Sequence, residues 1–125
     1  MKIEISNGEL LDKISILEIK LKHISDEHKL HNVQTEYQVL VELGTRLLET
    51  EQVSTLYNKL RQVNEVLWNL EDGIRMKERD AQFDQEFIEL ARNIYKVNDE
   101  RAKLKKEINL VTGSLFVEEK SYEQY

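Results

Sequence analysis

The sequence predicts an all-α protein, an antiparallel bundle of three to four long amphipathic helices with short extended segments at both termini. Three observations support this fold class. The 125 residues include no proline and only four glycines, and sheet-rich folds need more of these turn-forming residues. Apolar residues recur at alternating intervals of three and four along most of the chain, which is typical of one helix face. The length suits a single domain with its own hydrophobic core.

The first third of the chain contains an extended start and two helical registers. Residues 1–6 alternate between apolar and polar side chains, which predicts an extended segment. Ser6 and Glu9 then form an S-x-x-E capping box, a helix-start signal. A heptad from Leu10 to Ile24 predicts a first helix over residues 8–30. A second register, out of phase with the first, predicts a helix over residues 33–49.

Two longer seams follow. Apolar residues from Val53 to Ile74 predict a third helix over residues 52–79, and the pattern leaves open whether the chain turns or kinks between 49 and 53. A seam from Phe83 to Val111 predicts a fourth helix over residues 84–112, ended by Gly113. Residues 114–125 are expected to form an extended tail, in which 115–119 could pair with residues 1–6.

Composition excludes several classes of function. The net charge is −6 and basic residues are interleaved with acidic ones, so we expect no nucleic-acid partner and no membrane partner. The chain has no cysteine, no apolar run of transmembrane length and no signal-peptide pattern. These features predict a cytoplasmic protein.

Arg101 occupies a position of the fourth seam where an apolar residue is expected. A buried guanidinium needs carboxylate or carbonyl partners, and Asp72 and Glu71 near the end of the third helix are the candidates. Two interpretations remain open. Arg101 is either a structural ion-pair or snorkelling residue, or it binds an anion in a cleft.

Polar side chains also follow helical spacing on the third and fourth helices. If the two stripes face each other, they form a hydrogen-bonding site for a small polar ligand such as a sugar or a phosphate. The alternative is a solvated face or a network that selects one packing arrangement. The predicted ligand-binding residues are Asn64, Trp68, Asp72 and Arg75 on the third helix and Asn98, Arg101 and Lys105 on the fourth.

No pattern predicts catalysis, a metal or a cofactor. His28 and His31 share a helix face, but helical di-iron sites need Glu-x-x-His units that this chain lacks. The glycine-rich phosphate-binding motifs and the nucleophile elbow are absent. The aromatic residues Phe116, Tyr122 and Tyr125 of the tail are candidate anchors for docking to a partner.

Two resemblances extend this interpretation. LLDKISILEIKL (10–21) resembles the opening of the first helix of the all-helical chorismate mutases, but Leu11 and His28 stand where that family has substrate-binding arginines. The segments at 8–20, 63–78, 83–109 and 113–125, the last GSLFVEEKSYEQY, resemble a family of small bacterial and phage proteins known only as a domain of unknown function. That resemblance implies no activity.

The sequence therefore favours a non-enzymatic, coiled-coil-like module for protein interaction or assembly, acting through a homodimer or another protein partner. Whether the chain is an enzyme stays open. The alternative is a protein or enzyme that binds a small polar ligand between the third and fourth helices.

Overall fold

Four α-helices make up most of the computed structural model, which describes residues 1–123. They are α1 (Asn7–His23), α2 (Glu27–Gly44), α3 (Glu51–Arg79) and α4 (Gln85–Thr112), with a 3-10 turn at Leu47–Glu49. The described residues contain no strand. The prediction of an all-α bundle is therefore confirmed. Along residues 1–123, no helix combines the length and the apolarity that crossing a bilayer requires.

Each helix start is fixed by a polar side chain that accepts a hydrogen bond from the backbone N–H three residues further on. The capping residues are Ser6, Asp26, Thr50 and Asp84. At α1 only half of the predicted capping box forms. Ser6 Oγ accepts from the N–H of Glu9 at 3.1 Å, but the Glu9 carboxylate pairs with Lys105 of α4 instead of returning to the backbone of Ser6.

The boundary between α1 and α2 differs from the predicted one. The first helix ends at His23 and not near residue 30, and α2 already begins at Glu27. Asp26 causes the early restart, because its Oδ1 accepts from the N–H of Lys29 at 2.9 Å. The heptad did not indicate this break, since Ile24 continues the apolar spacing of α1 although its backbone is extended.

The chain between α2 and α3 turns. α2 ends at Gly44, five residues before the predicted end at 49, and Thr50 has an extended backbone with φ −85° and ψ 141°. Gly44 lies against α1, where a β-carbon would stand 2.6 Å from Ile14 Cδ1. An alanine at this position would therefore force the tip of the Ile14 side chain to shift.

The predicted strand pairing between residues 1–6 and 115–119 is wrong. The tail does return to the start of α1, but side chains make the contact. Ser6 Oγ donates to Glu118 at 2.6 Å, and Ser114 Oγ accepts from the N–H of Asn7 at 3.1 Å. Ser6 is also the N-cap of α1, and Glu118 also accepts a hydrogen bond from Asn109. These side-chain contacts hold the tail in place without a β-ladder.

α1 is the central helix and contacts the other three. It runs antiparallel to α4, as successive contacts from Gly8 to Asn109 and from Asp12 to Arg101 show. The main core lies where the first half of α1 meets the start of α3 and the end of α4. Its buried residues are Leu10, Leu11, Ile14, Val53, Leu56, Tyr57, Leu60 and Ile108.

A two-helix arm, residues 69–97, comprises the end of α3 and the start of α4 and extends away from this core. None of its residues is buried, although Leu67 and Ile108 on either side of it are. The two helices of the arm therefore pack on each other with little cover from a third element.

Candidate functional site

A buried carboxylate on α1 organises the polar interior. Asp12 is 1% exposed, and Arg101 of α4 binds both of its oxygens. Arg101 Nε donates to Asp12 Oδ1 at 2.9 Å, and its NH2 group donates to Oδ2 at 2.5 Å. This two-point geometry is the strongest arrangement available to an arginine and a carboxylate.

An amide and a hydroxyl complete the surroundings of Asp12. Asn64 Nδ2 of α3 donates to Asp12 Oδ1 at 2.9 Å and to Ser15 Oγ at 2.7 Å. Ser15 Oγ in turn donates to the carbonyl oxygen of Asp12 at 2.7 Å. Within residues 1–123, no buried side-chain nitrogen or oxygen lacks a hydrogen-bond partner. The network therefore joins α1, α3 and α4 without an unsatisfied polar atom.

The network keeps both Asp12 and Arg101 ionised. Burial alone would raise the pKa of Asp12, but hydrogen bonds from Arg101 and Asn64 and the positive charges of Arg101 and Lys105 outweigh burial and lower it. The hydrogen bond with Asp12 likewise raises the pKa of Arg101. Both groups stay ionised, and neither is tuned towards the near-neutral pKa that a general acid or base needs.

A polar groove opens beside this network, between α1, α3 and α4. Its volume is about 380 Å³, and its lining combines apolar side chains with amides and charged groups. The lining residues are Ile16 and Ile19 of α1, Asn64, Leu67, Trp68, Glu71, Asp72 and Arg75 of α3, and Asn98 and Arg101 of α4.

Six of the seven predicted ligand-binding residues line this one groove. They are Asn64, Trp68, Asp72, Arg75, Asn98 and Arg101. The seventh, Lys105, is not part of the lining. Its Nζ pairs with Glu9 at 2.6 Å and lies 3.8 Å from Asp12. The groove also includes α1, so it is not confined to the third and fourth helices.

The predicted partners of Arg101 are wrong. Neither Asp72 nor Glu71 bonds to its guanidinium, which is bound by Asp12 and is also within 3.4 Å of Asn98 Oδ1. Glu71 pairs instead with Arg75, one turn away on α3, at 3.3 Å. Asp72 stays exposed. The reason is the position of α1, which inserts its own carboxylate where the third helix was expected to supply one.

Trp68 forms the aromatic part of the groove. It is half-buried, and the ring of His23 stacks on it with a centroid distance of 5.2 Å and an angle of 19°. His23 Nε2 is 3.2 Å from Glu65 Oε1, which fixes the imidazole. The end of α1 therefore holds the indole ring in one orientation.

Asp12 and Ser15 are functional candidates that the predicted site does not include. A signal was present, since both lie inside the wide apolar arc of α1, next to Leu11 and Ile14. Polar residues inside such an arc are buried and need partners. Eight of the 17 residues of α1 are buried, which is more than a seam of two residues per heptad would bury.

The predicted docking residues of the tail are separated from the groove. Phe116 is 45% and Tyr122 is 76% exposed, and Tyr125 lies outside the described residues. The tail itself is anchored by Glu118, which accepts from Ser6 and from Asn109 Nδ2. Burial alone would raise the pKa of Glu118, but these hydrogen bonds lower it below its ordinary value.

The remaining candidates from the sequence also lie away from the groove. His28 and His31 are exposed on α2, and residues 1–123 contain no group of three side chains able to hold a metal ion. Leu11, one of the two positions compared with substrate-binding arginines of chorismate mutases, is fully buried in the core. Neither Leu11 nor His28 contributes a cation to the groove.

The comparisons with known proteins identify a family and no activity. A family model described as "Family of unknown function (DUF6165)" matches residues 1–125. No curated protein and no solved structure is significantly similar to the chain.

Proposed function

The chain belongs to this family of unknown function over residues 1–125, and from the geometry of the polar groove we propose that it binds a small, neutral, polyhydroxylated ligand such as a sugar. One observation carries the proposal. Six polar and aromatic side chains from α3 and α4 converge on a single groove beside a fully satisfied ion pair. A groove of about 380 Å³ is within the size range of small-molecule sites.

The charge balance favours a neutral ligand over a phosphate. The guanidinium of Arg101 is already neutralised by Asp12, and Arg75 is paired with Glu71. Asp72 adds to the lining an exposed carboxylate that forms no ion pair within residues 1–123. An anionic ligand would meet this carboxylate and that of Glu71, and it would gain little from Arg101, which the buried Asp12 already neutralises.

The donor and acceptor inventory suits hydroxyl groups. Asp72 accepts hydrogen bonds, Arg75 donates them and Asn98 does both, while a sugar hydroxyl can take either role. The indole of Trp68 and the side chains of Ile16 and Ile19 offer apolar surface to the C–H face of a sugar ring. Fixed Asp12 and Arg101 would serve as the rigid support of the site.

Binding rather than catalysis fits the protonation states. Asp12 has a lowered pKa and Arg101 a raised one, so the network offers no group poised to transfer a proton at neutral pH. A mechanism that needs a general base from this pair has no support here.

The fluorescence of Trp68 offers a direct test, because it is the only tryptophan in the chain. Neutral mono- and disaccharides would be titrated to about 10 mM, which detects a Kd of about 1 mM, with inorganic phosphate as the anionic probe. We expect a saturable change with at least one saccharide and none with phosphate. Asp72→Ala and Asn98→Ala should each weaken that binding about tenfold.

A matched control is Asn69→Ala, on the exposed side of α3 and outside the groove. It should bind like the unmodified protein. The proposal fails if no saccharide gives a saturable response, if phosphate alone does, or if Asn69→Ala weakens binding as much as Asp72→Ala.

The module for protein interaction or assembly that the sequence favours is a separate hypothesis, and it stays a prediction. It concerns a surface that shares no lining residue with the polar groove.

A further inference from the structure

A second surface of α3 and α4 carries apolar side chains that are partly exposed to solvent. Two adjacent grooves of about 670 and 510 Å³ follow one another between these helices, and only α3 and α4 residues line them. We call this surface the outer face. Its apolar residues are Val63, Val66, Val97, Leu104, Leu110 and Val111.

We propose that the outer face is the interface of a homodimer, in which the α3–α4 pairs of two copies pack across a two-fold axis as a four-helix bundle. The apolar residues of the face keep the spacing of a helix–helix seam. Val66 is 48%, Leu110 64% and Val111 42% exposed in the single chain. Burying them on a second amphipathic pair removes this apolar surface from water.

The exposed area of the chain is large enough for such an interface. A compact monomer of 14.9 kDa exposes about 7,000 Å², whereas this chain exposes 8962 Å². The excess of roughly 2,000 Å² is larger than the roughly 800 Å² that each partner contributes to a standard interface. The arm supplies part of this excess, because its two helices lack a third layer.

Charge complementarity identifies a second copy as the occupant. One groove of the outer face carries Glu51 and Glu107, and the adjacent groove carries Lys59 and Lys103 with Glu100. A two-fold axis across the face places the acidic groove of one copy on the more basic groove of the other. In the described part of the chain, Glu51, Glu107, Lys59 and Lys103 form no ion pair.

Analytical ultracentrifugation of the full chain tests the apolar part of the proposal. We expect a concentration-dependent dimer. Leu110→Glu places a charge in the seam and should weaken the dimer at least tenfold, while circular dichroism stays helical. Val39→Glu is the matched control, because Val39 is 59% exposed on α2 and outside the outer face. A monomer at all concentrations, or equal weakening by both variants, overturns the proposal.

A charge exchange tests the two-fold register. Lys103→Glu and Glu107→Lys should each weaken the dimer, because each brings like charges together across the axis. The double variant exchanges both charges and should restore the dimer to within about threefold of the unmodified protein. A double variant weaker than either single one overturns this arrangement. None of these residues lines the polar groove, so the outcome is independent of saccharide binding.

Discussion

Asp12 and Arg101 are 89 positions apart in the chain and form a two-point ion pair at the junction of α1, α3 and α4. The carboxylate is almost completely buried, whereas the arginine side chain keeps 28% of its exposure and faces the polar groove. One residue pair therefore fixes the position of α1 on the α3–α4 pair, and its arginine lines the candidate site.

Replacing Arg101 by methionine should strongly destabilise the fold. The change leaves the buried charge of Asp12 without its main partner, which costs about 3–5 kcal/mol of unfolding free energy. Urea denaturation followed by circular dichroism measures this loss. Arg61→Met is the control, because Arg61 pairs with Glu18 at 3.5 Å but is 48% exposed, and losing it should cost no more than about 1 kcal/mol. Equal effects would contradict the structural role of the Asp12–Arg101 pair.

The Asp12 pair should also make the protein sensitive to acid. Because the pKa of Asp12 is lower in the folded chain than its ordinary value of 3.8, the unfolded chain takes up the proton more readily. The stabilisation is therefore complete above pH 3.8 and is lost as the pH falls through the lower, folded-state pKa. Unfolding free energies of the unmodified protein and of Asp12→Asn should converge across this range. A constant difference between the two would contradict the lowered pKa.

Two glycines should respond to alanine in opposite directions. A β-carbon at Gly8 would collide with the backbone oxygen of Lys105, which cannot move without shifting α4. Gly8→Ala should cost about 1–3 kcal/mol. At Gly73 the nearest atom is Leu90 Cδ2 at 3.4 Å, an ordinary contact, so Gly73→Ala should stabilise α3 by up to about 1 kcal/mol. Thermal unfolding compares the two, and a lower Tm for Gly73→Ala would show that the arm needs glycine there.

Glu118 should contribute to stability although it belongs to the tail. Glu118→Ala leaves Asn109 Nδ2 and Ser6 Oγ without their acceptor, and a buried donor left unsatisfied costs about 1–3 kcal/mol. Glu119→Ala is the neighbouring control, since the Glu119 side chain is 68% exposed where it pairs with Lys106 and should cost at most about 1 kcal/mol. If urea denaturation gives the same loss for both, the tail is not held through Glu118.

The sequence predicts the helices of this fold better than their breaks. Apolar spacing is sufficient for α3 and α4, whose observed bounds of Glu51–Arg79 and Gln85–Thr112 begin and end within one residue of the predicted ranges. It fails between α1 and α2, because Ile24 keeps the spacing of α1 while Asp26 restarts the helix. A capping side chain acts locally and leaves a periodic pattern undisturbed.

The sequence also predicts the polar residues of the groove only in part. Arg101 interrupts an apolar seam, so its need for a partner is apparent from the sequence. The identity of that partner depends on how α1 lies over α3 and α4, which helical spacing does not determine. Asp72 is adjacent to Glu71 on the same turn and was the nearer candidate in the chain, whereas the observed partner is Asp12.

The arm of residues 69–97 has a consequence for local stability. Because none of its residues is buried, the backbone hydrogen bonds of the arm are protected by the contact between its two helices and not by the main core. Amide protons near residues 75–90 should therefore exchange with solvent much sooner than those around Leu60 and Ile108, through opening events that leave the rest of the domain folded. The molecule then behaves as two cooperative units: the part around the main core, which exchanges slowly, and the arm, which opens on its own.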